Sequence, residues 1–299
     1  MEDSRQTADD SGLERYRIKL TQKHGYFMLA ATIALALGLF VLMLFADRMQ
    51  RTQIPLNIPG VLALAVIPSA ALIVYVYIKD NIEKEPLLLL ILLFMCGGVS
   101  AIAAYYLESP VIQAIDDSLG YYSATGIFIR MAIWIPVVEE SLKFLILYLV
   151  TWRHKAFNFL YDGLVYSVMV SLGFAAAENV RYIYQNGIAT GIFRAFTVVA
   201  MHCMVAVYMG AFYGRAKDRE GERNRTGMIR DLVKALLIPV AMHGAYDFTA
   251  SMKGIIWIVI FFILIACYEV FGFMKVNEAS RADERITEEN AADEGSGIL

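Results

Sequence analysis

Long uninterrupted apolar runs constrain this chain more than any other feature. A helix rises about 1.5 Å per residue and satisfies its own backbone polar groups, so roughly 20 apolar residues cross about 30 Å of hydrocarbon. The sequence predicts such spans over Tyr26–Phe45, Pro59–Ile78, Leu87–Leu107, Phe128–Val150, Leu160–Tyr182, Ala189–Tyr213, Asp231–Met252 and Ile255–Phe273. Hydrophobic residues make up 58% of the 299 and charged residues 18%, against about 45–50% and about 25% in soluble domains. The excess needs lipid to cover it. The expected fold is therefore all-α, a polytopic transmembrane helical bundle of about eight spans. The first run is too long for the core of a signal peptide, and Phe45-Ala46-Asp47-Arg48 lacks a small-x-small cleavage pattern.

Lysine and arginine set the orientation. One side collects Arg5, Arg15, Arg17, Lys19, Lys23, Lys79, Lys84, Arg153, Lys155, the Arg215–Arg230 loop, Lys275, Arg281 and Arg285, and the other only Arg48, Arg51, Arg181 and Lys253. The basic side is expected to be cytoplasmic, with both termini inside and an even number of spans. The loop over 108–127 has no lysine or arginine. Residues 1–25 read as a polar cytoplasmic segment, 26–275 as the bundle, and 276–299 as an acidic tail expected to stay disordered.

The net charge of −3 says little about partners, and nothing points to nucleic acid. The Arg215–Arg230 loop is placed to meet anionic lipid headgroups, although the positive-inside signal alone explains it. Cys96, Cys203 and Cys267 all fall inside spans and read as small buried hydrophobes without a disulfide. Gly187-x-x-x-Gly191 and Gly210-x-x-x-Gly214 suit close helix packing, but chance placement of glycine explains them equally well. The loops are too short to house an enzyme, so any chemistry lies within the membrane.

An ionisable side chain at a span centre costs about 2.5–3.5 kcal/mol on insertion scales. Yet the fourth span carries Glu139, Glu140 and Lys143, the fifth Glu178, Asn179 and Arg181, the sixth Arg194 and His202, and the seventh Lys234, His243 and Asp247. Elsewhere the main exception is Glu269. Glu139 and Glu140 are i,i+4 and i,i+3 neighbours of Lys143. One lysine cannot neutralise both, so the second acid needs another partner, a proton, a metal or water. Pro136 frees a backbone carbonyl just before the pair. Gly173 and Ala175–Ala177 allow close approach to Glu178, whose candidate partners are Arg181 and Arg194. His243 and Asp247 share a face, either as an oriented imidazole or as two groups aimed at one ligand. Glu139 lies about 11 residues, or roughly 16 Å, into its span. The cluster then sits between mid-depth and the outer leaflet, where water would come from outside.

Glu139-Glu140-x-x-Lys143, Tyr161-Asp162-Gly163-Leu164-Val165-Tyr166, Gly173-Phe174-x-x-x-Glu178-Asn179, His202 and His243-x-x-x-Asp247 occur in that order. Together they resemble the PrsW family of intramembrane proteases, which is similar to the CAAX prenyl protease type II (CPBP) superfamily. The resemblance covers Glu139 to Asp247, within a catalytic core at about 128–252. Ser167 stands where the family has glycine. Glu178 and Asp247 stand where the CAAX branch has histidine and asparagine, which argues against a prenylated substrate. The resemblance implies a multi-pass plasma-membrane peptidase making the first cut in a single-span membrane protein of the anti-sigma factor type, on the extracytoplasmic side.

It also implies roles. Glu139 and Glu178 hold and deprotonate water, and His243 with Asp247 stabilises the oxyanion or donates a proton. Glu140 pairs with Lys143, Asn179 supports, and His202 is a further polar or ligand group. There is no His-Glu-x-x-His, so no cofactor is expected; the alternative is zinc on Glu139, Glu178, His202 and His243. Two other readings of the buried acids and histidines are a proton- or ion-coupled transporter, without the inverted repeat such folds often show, and a non-enzymatic membrane scaffold.

Overall fold

The computed structural model describes residues 58–80 and 82–296, with side chains to 283. The predicted span Tyr26–Phe45 lies outside the described residues. Among the described residues all regular structure is helical: α1 (Ile58–Lys79), α2 (Leu87–Leu119), α3 (Ala124–Ile127), a π-helical segment (Phe128–Trp134), α4 (Ile135–Thr151), α5 (Leu160–Asn186), α6 (Ile188–Phe196), α7 (Val198–Gly221), α8 (Arg225–Ser251) and α9 (Ile255–Ser296). Among the described residues, five stretches are long and apolar enough to cross a membrane: Ile58–Lys79, Leu87–Leu119, Leu160–Asn186, Ile188–Gly221 and Ile255–Asp283. Leu62, Ile67 and Val74 of α1 and Ile256, Val259 and Ile263 of α9 are exposed, a surface suited to lipid.

α5 lies at the centre and is buried along most of its length, with α7 beside it. Glycine makes this possible. A Cβ on Gly210 would lie 2.3 Å from Leu164 Cα, and one on Gly214 2.1 Å from Leu160 O. Gly210-x-x-x-Gly214 thus does bring two backbones together. In the other pair, Gly187 ends α5 at φ +87° with open space around it, whereas a Cβ on Gly191 would lie 2.5 Å from Ile183 Cγ1 and 2.6 Å from Leu64 Cδ2, so only Gly191 serves close packing. Further along α5, α2 crosses it just as closely. A Cβ on Gly97 would meet Val170 O at 2.0 Å, and one on Gly173 would meet Phe94 O at 2.0 Å.

Three segments depart from the sequence expectation. α2 does not end near Leu107; it stays helical to Leu119, and the expected loop over 108–127 is largely helix and turn. Glu108 and Pro110 read as a span end, but Glu108 is buried against the bundle. The predicted span Ala189–Tyr213 is broken at Thr197 into α6 and α7. The chain after Lys275 does not leave the bundle: α9 continues, with Val276, Ala279, Ser280 and Asp283 buried. Ser280 Oγ donates to Lys79 O at 2.8 Å, and Asp283 Oδ2 accepts Tyr161 N–H at 2.9 Å. That amide is one of the unpaired donors of the first turn of α5, so an acid that looked like solvated tail serves as a cap.

Candidate active site

The site is assembled by α4, α5, α6, α7 and α8. Pro136 has no N–H to offer the carbonyl of Ala132. The backbone there widens into the π-helical segment, in which Ile135 N–H reaches Arg130 O. The same Ala132 carbonyl lies where a Cβ on Gly244 would be, at 2.3 Å. The π segment and the lack of a side chain at Gly244 together let α8 approach closely beside His243, one turn from Glu139 and Glu140. π-Helical segments are frequent at functional sites.

Lys143 Nζ is the hub. It donates to Glu140 Oε1 at 2.8 Å, Glu139 Oε2 at 3.2 Å and His202 Nδ1 at 3.2 Å, which uses all three ammonium hydrogens. The Phe174 ring lies 4.0 Å away on another side. Because His202 Nδ1 accepts, its Nε2 carries the hydrogen and donates to Glu178 Oε2 at 3.3 Å. Arg194 holds that same oxygen at 2.7 Å and donates from Nε to Asn179 Oδ1 at 2.7 Å. Arg181 is 4.0 Å from Glu178, so of the two candidate partners Arg194 is the one engaged. On α8, His243 Nδ1 lies 2.8 Å from Glu140 Oε1 and its Nε2 3.3 Å from Asp247 Oδ2. The two imidazoles stand edge to face, 5.1 Å apart.

Each histidine therefore turns Nδ1 inward, to Lys143 or Glu140, and Nε2 outward to a carboxylate, Glu178 or Asp247. Outer carboxylates of this kind fix ring orientation and tautomer. Glu139, Glu140, Lys143, Asn179, His202 and His243 are all buried. Lys234, noted in the sequence, lies apart from this cluster, against the Phe212 ring.

The structure also tests the zinc alternative. Glu139, Glu140, His202 and His243 bring one ligand atom each to within 4.8 Å of one another, and two carboxylates with two imidazoles suit a zinc-type ion. Glu140 Oε2 is buried without a hydrogen-bond partner. The residues present fit such an ion, with Glu140 in the place expected for Glu178, which Arg194 draws aside. Lys143 Nζ lies against three of the four donor residues, where it would compete with such an ion.

Sequence reading missed Glu108. It is buried, with Oε1 lacking a hydrogen-bond partner, and interacts electrostatically with Glu139 and Glu178. Its one sequence signal, an acid next to an apolar run, was indistinguishable from a span end.

Buried acids, imidazoles and an ammonium, gathered inside a helical bundle with a lipid-facing exterior, define a polytopic membrane protein with a polar site inside the bundle. The family model described as "PrsW family intramembrane metalloprotease" matches residues 85–270, and the chain belongs to that family. It is similar to proteins named "Protease PrsW" from several bacteria. That of Oceanobacillus iheyensis is 30% identical over 221 residues, 73% of this chain and 97% of the relative. That of Geobacillus kaustophilus is 33% identical over 194 residues, 65% and 81%. That of Bacillus subtilis is 29% identical over 222 residues, 74% and 95%. No solved structure matches the chain. The chain is thus a multi-pass membrane peptidase.

Proposed function

We propose that this peptidase hydrolyses a peptide bond of a single-span membrane protein of the anti-sigma factor type, near the extracytoplasmic face. The observation that carries the reading is the convergence of Glu139, Glu140, Glu178, His202, His243 and Asp247 around Lys143 inside the bundle. A scaffold has no use for so many buried ionisable groups, and the family's named relatives are proteases rather than transporters.

Peptide hydrolysis needs an activated water, a donor for the developing oxyanion and a proton for the leaving amine. Lys143 holds Glu139 through Oε2, and Oε1 is the oxygen that takes a proton from water. His243, held between Glu140 and Asp247, places its ring beside the carbonyl oxygen and stabilises the charge that oxygen gains. Glu178, fixed by Arg194 and His202, lines the water's other side. Glu140 keeps Lys143 and His243 in register. An ion held by Glu139, Glu140, His202 and His243 would supply a more acidic water when bound.

The test uses purified wild type and E139Q in liposomes, each with a panel of single-span proteins bearing extracytoplasmic domains, and products mapped by mass spectrometry. Cleavage near the outer face by wild type alone is expected. Full cleavage by E139Q overturns the assignment of the base.

A further inference from the structure

Among the described residues, Glu108 is a buried carboxyl in α2 with no ion-pair partner. The other acids of the site are engaged: Glu139 and Glu140 by Lys143, Glu178 by Arg194, Asp247 by His243. One turn before Glu108, Ala104 packs with Val138 and Phe174, beside Trp134 and Leu142. Val138 precedes Glu139, and Phe174 is the ring under Lys143. Helical side chains lean toward their own N-terminus, so Glu108 leans back from its turn toward this floor. Its electrostatic neighbours are Glu139 and Lys143 on α4, Glu178 on α5 and His243 on α8. From α5, Arg181 stacks instead on Tyr105, one turn short of Glu108.

We propose that Glu108 is a further catalytic residue, the acid that gives its proton to the leaving amine. The proposal rests on the peptidase reading above. A buried carboxyl that makes no ion pair carries its proton at lower cost than its charge. Glu139, held to an ammonium, suits the opposite task. Two carboxyls in unlike surroundings divide acid and base work between them.

The step balances. Water oxygen bonds to the carbonyl carbon while Glu139 takes one of its protons. The C–N bond then breaks, its electron pair stays on nitrogen, and the Glu108 proton moves to that nitrogen. Passage of the proton from Glu139 to Glu108 restores the starting state. No oxidant or further reactant is needed.

The experiment compares full-length wild type, E108Q, E108D and E139Q in liposomes, with the same panel of single-span proteins. Glutamine keeps the shape and cannot supply the proton. For E108Q, kcat should fall about 10²-fold with KM and melting temperature unchanged, and the loss of rate at high pH should disappear from the pH profile. E108D should recover part of the rate. Independently of turnover, the infrared difference spectra of wild type minus E108Q and of E139Q minus E108Q should each show the C=O band of one protonated carboxyl. Wild-type cleavage matched by E108Q, or a difference spectrum with no carboxyl C=O band, overturns the role of Glu108 alone. A wild type that cleaves nothing on the panel overturns the peptidase mechanism and this role with it.

Discussion

Two neighbouring glycines of α2 offer a matched pair of perturbations. In G97A the new Cβ would lie 2.0 Å from Val170 O and 2.8 Å from Val170 C, both backbone atoms of the central helix. In G98A it would lie 3.5 Å from Gly173 O and 3.7 Å from Ala177 Cβ, ordinary contact. Backbone cannot rotate away as a side chain can, so G97A must push α2 off α5 by more than about 1 Å. A gap of that size forfeits about half of each dispersion contact along the seam, and overpacking of this kind costs about 1–3 kcal/mol. The shift also displaces Glu108 from Glu139 and Glu178, and a 1 Å misplacement costs about 10²-fold in rate. The assay is thermal unfolding of each purified variant in the same detergent, followed by cleavage in liposomes. G98A should match wild type in both, and G97A should lose both stability and rate. Equal melting temperatures for the two variants would refute the close crossing of α2 and α5.

Three further perturbations address separate parts of the molecule. K143M strands two buried carboxylates and should destabilise the protein by about 3–5 kcal/mol; because it clears donors that an ion would use, it should also retain more zinc per protein after dialysis, and equal zinc content would refute the competition between ion and ammonium. D247N loosens the brace on His243 and should lower kcat about 10–100-fold with little change in KM, so an unchanged kcat would place His243 outside the chemistry. At the other end of the bundle, burial pushes the Glu85 carboxyl up from its ordinary 4.5, against the Tyr166 hydroxyl that donates to it and pulls it down. Burial likewise raises Asp80, partly offset by Lys84. A raised carboxyl binds its proton more readily folded than unfolded, so stability is favoured at low pH and declines as pH rises from about 4.5 through the raised value. E85Q should flatten the fall of melting temperature over that range, and an unchanged slope would refute it.

What the residues alone revealed and what they hid divides along the range of the contacts. The apolar runs determined the helices of α1, α5 and α9 at their starts, because lipid leaves the backbone no alternative to internal hydrogen bonds. The pairs inside one helix were equally legible: Glu139 and Glu140 with Lys143, and His243 with Asp247, follow from the periodicity of 3.6 residues. Only the tertiary structure decided that Arg194 rather than Arg181 holds Glu178, that Glu140 rather than Glu178 joins the histidines in the metal-compatible set, and that His202 bridges Lys143 to Glu178. These contacts run between helices whose approach is set by glycine crossings and a π-helical segment, and a sequence carries no direct record of crossing angle or rotation. Glu108 and Asp283 were hidden for the same reason. At the edge of an apolar run a carboxyl reads as the point where the chain meets water, and only the packing of α2 and α9 against α5 turns each of them inward.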